Sequence, residues 1–115
     1  MPTSSRSSSD QKTYALEAGL TKQVKEWLEI QPDIHFYKAS DRYHKGISDF
    51  IICVGGIFVA AELKAEDGEE SAQQRLFILQ TKRAGGIGGV CYTLAQVKVL
   101  VEEARRRACG MTGNV

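Results

Sequence analysis

The sequence predicts an α/β domain in which helices flank a mixed β-sheet. Three observations carry that expectation. Apolar residues recur at helical spacing over residues 10–30 and again over 94–108. Between them, DFIICVGGIFVAAELK places two apolar runs around Gly55-Gly56. The predicted elements then follow the order helix, strand, strand, strand, helix, strand, helix, which a single mixed sheet with covering helices accommodates.

The first helix covers about 10–30, with Leu16, Leu20, Val24, Trp27 and Leu28 as its apolar stripe, and Pro32 closes it. Residues 34–39 alternate weakly and are rich in aromatics, which suits a strand. Residues 40–46 form a polar loop. The Gly55-Gly56 pair supplies the positive φ angles of a type I′ turn, so strands are expected at 49–54 and 57–64. An acidic loop, AEDGEE, follows. A second helix covers 71–84 with Ser71 as its N-cap, and the GGIGG run at 85–89 turns the chain back. A short strand at 90–93 leads through a Thr93-x-x-Gln96 capping box into a last helix, with Leu94, Val97, Val101 and Ala104 inward. Arg105, Arg106 and Arg107 are placed at its end, where positive charge suits the helix dipole.

With 115 residues, 43% hydrophobic and 25% charged, the chain supports one core and one domain. We expect a flexible Ser-rich tail over 1–10, a single domain over 11–109 and a short tail over 110–115. The net charge of +1 excludes a global basic field, so a nucleic-acid partner requires a local basic patch. Cys53, Cys91 and Cys109 lack metal-finger spacing and read as reduced thiols of an intracellular protein. No apolar run is long enough for a bilayer, and MPTSSRSSSDQ lacks the apolar core of a signal peptide.

Glu62 and Lys64 are two apart on a strand and so share a face. The tight turn brings Asp49, at the start of the preceding strand, close to Glu62. Neighbouring carboxylates repel and are stable together when a cation lies between them, and oxygen ligands suit Mg²⁺ or Mn²⁺. A solvated Glu–Lys pair on an exposed strand end is the plain alternative. Glu17 falls inside the apolar stripe of the first helix, whereas Glu26 and Glu29 point away. Three readings stay open for it: a core salt bridge, a helix-terminal charge, or a third carboxylate reaching the metal.

Lys45-Gly46-Ile47-Ser48-Asp49, then Glu62-Leu63-Lys64, then Gln74, then Ala84-Gly85-Gly86 with Val90 onward, resemble the VRR-NUC group of the PD-(D/E)xK nucleases. The short stand-alone members of phages and bacteria are the most similar, and the resemblance covers about residues 14–103. It implies a restriction-endonuclease-like αβββαβ core with an extra C-terminal helix. It further implies that Asp49, Glu62, the Leu63 carbonyl and Glu17 hold the metal. Lys64 would orient or activate the attacking water, and Gln74 would lie beside the site. Ser71-x-x-Gln74 also fits a capping box, which competes with that role, and Gln73 is adjacent. Ser48 stands where the group usually carries Pro, and Pro32-Asp33 is a decoy too far before Glu62.

The implied activity is metal-dependent hydrolysis of DNA phosphodiester bonds by an intracellular protein of a bacterium or phage-infected host, without a small-molecule cofactor or membrane. Arg42, His44, Lys45, Lys82 and Arg83 are the candidate phosphate contacts, and Tyr43 a candidate for stacking. The second helix carries apolar residues on two sides, Phe77 and Ile78 on one and Ala72, Leu76 and Leu79 on the other, so the second side would pack on a partner subunit or on the last helix. The stand-alone members resemble dimeric enzymes that cut four-way junctions, so the resemblance implies a homodimer resolving four-way (Holliday) junctions in DNA repair or recombination, whose two-fold symmetry suits such a substrate. A flap or nicking nuclease is the alternative within the fold, and an inactive DNA-binding scaffold the alternative of another class. An RNA-binding signature is not visible.

Overall fold

The computed structural model describes residues 2–39, 48–65 and 68–113, with side chains over 16–39, 48–65 and 68–110. In chain order the elements are α1 (Pro2–Glu29), β1 (Ile34–Lys38), β2 (Phe50–Val54), β3 (Ile57–Leu63), α2 (Ala72–Arg83), β4 (Ile87–Cys91) and α3 (Leu94–Gly113). The sheet order is β1-β2-β3-β4; β1, β2 and β3 run antiparallel and β4 lies parallel to β3. This is the mixed sheet flanked by helices that the sequence predicts.

The hairpin follows from its turn. Gly55 and Gly56 have φ of 57° and 89°, as a type I′ turn requires, and Val54 pairs with Ile57. From there the register is set along both strands, down to Phe50 opposite Ala61. Phe50, Ile52 and Val54 of β2 and Val59, Ala61 and Leu63 of β3 are buried on one face. Leu20, Val24 and Leu28 of α1 and Val97, Val101 and Ala104 of α3 complete that core. Trp27 packs against it from α1 and carries the Lys98 ammonium 5.5 Å from its ring centroid.

Several expectations are corrected. α1 begins at Pro2 rather than near residue 10, because no Gly or Pro interrupts residues 3–18 and serine lowers helix propensity only modestly. α3 likewise runs on to Gly113. Leu16 was expected in the apolar stripe but is 54% exposed, since the sheet ends before that turn of α1. β4 begins at Ile87, not Val90, so the glycine run is strand rather than only turn. The reason is close packing. A Cβ on Gly86 would stand 3.0 Å from the Phe58 carbonyl oxygen, and one on Gly88 would meet the Ile78 side chain at 3.2 Å. Backbone approaches at these positions that a larger residue would prevent. Arg105 and Arg107 lie mid-helix and find partners there: Arg105 bonds Asp33 and Glu102, and Arg107 bonds Glu103 and the Gly85 carbonyl.

α2 covers the β3–β4 half of the second sheet face, where Ile78 and Thr81 are buried. The α2 start is capped as the sequence indicates, whereas at α3 the Gln96 side chain reaches back to Tyr92, one residue before the N-cap Thr93. Ser71 and Gln74 exchange the two bonds of a capping box, and Gln96 N–H donates to Thr93 Oγ1 while Gln96 Oε1 accepts from Tyr92 N–H. No helix among the described residues is long and apolar enough to cross a membrane.

Candidate functional site

One step beyond the Phe50–Ala61 pair, the antiparallel ladder sets Asp49 opposite Glu62, on the sheet face away from the core. Asp49 Oδ2 accepts the Leu63 N–H at 2.8 Å, which fixes its carboxylate across the end of β3. The Asp49 carbonyl accepts the Ala39 N–H at 2.8 Å, so β1 holds the same point from the other side. Leu63 itself has its side chain in the core.

Glu62 is 1% exposed, and its Oε2 has no hydrogen-bond partner among the described residues. Burial pushes its carboxyl up to about 9; a hydrogen bond with Asp49 and that neighbour's charge add to the rise, and Lys64 opposes it. A buried acid beside a second acid, with an oxygen left unpaired, destabilises the fold. Such groups persist where something else takes the place of the missing partner.

Lys64 follows at the end of β3, half-buried, its N–H donated to the Cys91 carbonyl at 3.1 Å. Glu17 approaches from α1. Its Oε1 accepts the Ala65 N–H at 3.2 Å and lies 3.3 Å from where a Gly68 Cβ would stand, as does the Lys64 Cδ. Glu17 is thus brought to the segment that follows the E-x-K strand, 48 residues away in sequence. Asp49, Glu62 and Glu17 do not form a ready cage: among the described residues no group of three His, Cys, Asp or Glu side chains is arranged to hold an ion. The pair of facing carboxylates nonetheless fits Mg²⁺ or Mn²⁺. Mg²⁺ is commonly held by one or two carboxylates with waters and substrate phosphate completing its shell, and the unpaired Glu62 oxygen is an atom that could serve as such a ligand.

The remaining predicted residues divide. Gln74 Oε1 is engaged with the Ser71 N–H at 2.8 Å, so its amide serves the α2 cap. Gln73 is exposed beside it. Lys82 and Arg83 are exposed in the last turn of α2, where Lys82 borders an open cleft with Val90, the register partner of Glu62. Arg42, Tyr43, His44 and Lys45 lie outside the described residues. Asp33, the decoy, is held by Arg105 through two bonds of 2.9 and 2.8 Å, remote from this chemistry.

Two neighbours of the site are given no role by the sequence reading. Ser48 is fully buried next to Asp49, with its Oγ unpartnered. Tyr92 follows Cys91 on the strand parallel to β3 and borders a cleft together with Lys64. Only the parallel register, which a sequence does not display, could have pointed to it.

No protein-family model and no curated protein sequence matches the chain. Among solved structures it is similar to a chain described as a VRR_NUC domain, with a TM-score of 0.62 and 22% identity, over 76% of this chain and 95% of that one. The protein has the fold of a VRR_NUC domain.

Proposed function

We propose that this chain is a Mg²⁺- or Mn²⁺-dependent endonuclease that hydrolyses DNA phosphodiester bonds. The observation that carries the reading is the buried Glu62 with its unpaired oxygen, set opposite Asp49 and two residues before Lys64. Asp49 and Glu62, with the Leu63 carbonyl between them, would hold the ion. When bound, a divalent cation supplies Lewis acidity toward the phosphoryl group and toward water.

The chain's own residues supply the rest. The Leu63 N–H holds Asp49 in one orientation, so no side-chain reorganisation is needed on binding. Lys64 brings an ammonium beside Glu62, where it offsets the negative charge that grows on phosphorus substituents and orients the attacking oxygen. Glu17 holds the Ala65 backbone and so fixes the segment carrying Lys64. Gln74 serves mainly to start α2. Lys82 and Arg83, with Arg42, His44 and Lys45, supply cations for the phosphate backbone.

The substrate proposed is branched DNA, and the active form a homodimer. Leu76 and Leu79 on α2 are 51% and 45% exposed, an apolar strip that a second subunit would cover. A two-fold pair of sites on opposed strands suits a four-way junction.

The test is cleavage mapping on junction, flap, nicked and plain duplex DNA with Mg²⁺, Mn²⁺ or EDTA, beside a solution mass. Metal-dependent cuts placed symmetrically across the junction by a dimer support the reading. Cuts on flaps by a monomer would redirect it to a flap nuclease. Binding without cleavage under every metal condition would make the protein a scaffold.

A further inference from the structure

We propose that Tyr92 is a stacking platform for the nucleobase next to the scissile phosphate, so that the site takes a nucleotide already out of its helical stack. This rests on the nuclease reading above and names the form of substrate that the same site accepts.

The parallel register pairs Glu62 with Val90 and Leu63 with Cys91, and the Lys64 N–H reaches the Cys91 carbonyl at 3.1 Å. The next position along is Tyr92, so its ring stands beside Lys64. It is 41% exposed and takes no part in the core. Its backbone is fixed: the Tyr92 N–H donates to Gln96 Oε1 at 2.6 Å, which ties it to the first turn of α3. An aromatic ring on an anchored backbone, with few rotatable bonds, loses little freedom on binding.

On one side the ring borders an open cleft of about 410 Å³ that also contains Lys64, Leu16, Gly19 and Leu20. Leu16 is exposed there, and Gly19 has open space where a side chain would stand. A glycine inside a helix weakens it, so its presence on this wall is consistent with a cleft kept open. One cation, an aromatic face and an opposite wall that is apolar except for Gln23 suit a nucleoside with its phosphate. On the other side of the ring, Glu69, Glu70 and Arg75 border a second cleft, with Arg75 4.0 Å from Glu70; one acid is left in excess there and disfavours a phosphate backbone. The base therefore enters on the Lys64 side. Stacking tolerates every base, which suits a site selecting structure over sequence.

The experiment uses the full chain and synthetic junctions carrying either 2-aminopurine or an abasic nucleotide beside the mapped cut. Tyr92→Ala, Tyr92→Trp and Gly19→Leu are compared with the parent, each checked for fold by circular dichroism. Tyr92→Ala and Gly19→Leu are expected to lower kcat/KM about tenfold on the normal junction, the scale of one lost stack, while Tyr92→Trp retains it. The abasic nucleotide should lower the parent by a similar factor and leave Tyr92→Ala no lower. Aminopurine fluorescence should be quenched on binding by the parent and not by Tyr92→Ala. Effects of the abasic nucleotide and of Tyr92→Ala that simply multiply, or quenching that survives Tyr92→Ala, overturn the proposal. If the parent cuts no DNA in either metal, the nuclease reading fails by itself, and Tyr92-dependent quenching still decides whether a base stacks there.

Discussion

Just before β1, the Asp33 carboxylate receives a forked pair of bonds from Arg105, whose guanidinium also bonds Gln31 and Glu102. At the open end of the β2–β3 hairpin, Asp49 and Glu62 face each other, with Glu62 buried and one of its oxygens unpaired. In the first region every acid meets a base on the surface, and the hydrogen bond from Arg105 holds Asp33 below its ordinary value. In the second, burial and a like neighbour drive Glu62 up to about 9. The first arrangement serves the fold and is complete. The second works against the fold, and under the proposed function a divalent cation would complete it. That contrast separates a structural acid from a candidate functional one more sharply than any short motif.

The comparison breaks most decisively at the site. Lys64→Ala and Glu62→Gln should each lower DNA cleavage by roughly a thousandfold or more, the scale of losing a transition-state charge or a metal ligand. Junction binding measured by gel shift should survive Lys64→Ala. Arg105→Ala should leave cleavage within about twofold, since its partners serve the fold.

The two regions should also respond to pH with opposite signs. Glu62 has a raised value in the fold, so its contribution is complete below its ordinary 4.5 and is lost as pH rises toward about 9. Asp33 has a lowered value, so its contribution is complete above its ordinary 3.8 and is lost as pH falls through its value in the fold. Thermal melts of the metal-free protein between pH 5 and 9 should therefore show Glu62→Gln gaining on the parent as pH rises. Asp33→Asn should show a constant deficit across that range, shrinking only below pH 3.8. A constant Tm difference for Glu62→Gln across that range would contradict the buried, protonated state.

Smaller effects sharpen the contrast. Arg105→Ala should lower stability by about 1 kcal/mol, because the pair is partly exposed and solvent screens it. Ser48→Ala should raise stability by about 1 kcal/mol in urea melts, since it removes a buried hydroxyl without a partner. Among the thiols, burial pushes Cys91 up to about 12, whereas Cys53 and Cys109 are exposed. A thiol reagent on the folded chain should spare Cys91 and reach it only on unfolding.

Much of this arrangement is legible in the sequence. Gly55-Gly56 permits one tight turn, and a two-residue turn leaves one register, so Asp49 opposite Glu62 follows from counting along both arms. The helical stripe through Leu20, Val24 and Leu28 is as direct. What escaped depends on tertiary contact. Glycines 86 and 88 read as turn because their role, admitting α2 against β4, exists only once both are packed. Leu16 reads as core because periodicity does not say where the sheet stops. Gln74 satisfies two patterns at once, and its bonds to Ser71 show the local one formed. Tyr92 enters the site through a parallel pairing between distant strands. Asp33 reads as a decoy from its distance to Glu62, but its partner Arg105, 72 residues on, is visible only in the fold.

The central claim is that Glu62 keeps its proton until a divalent cation takes that place. Calorimetric titration with Mn²⁺ at pH 7, repeated in buffers of different ionisation enthalpy, measures it directly. We expect about one proton released per ion bound, declining toward none above pH 9, and weak binding without proton release in Glu62→Gln. Equal binding in Glu62→Gln, or binding that releases no proton at pH 7, would contradict the account.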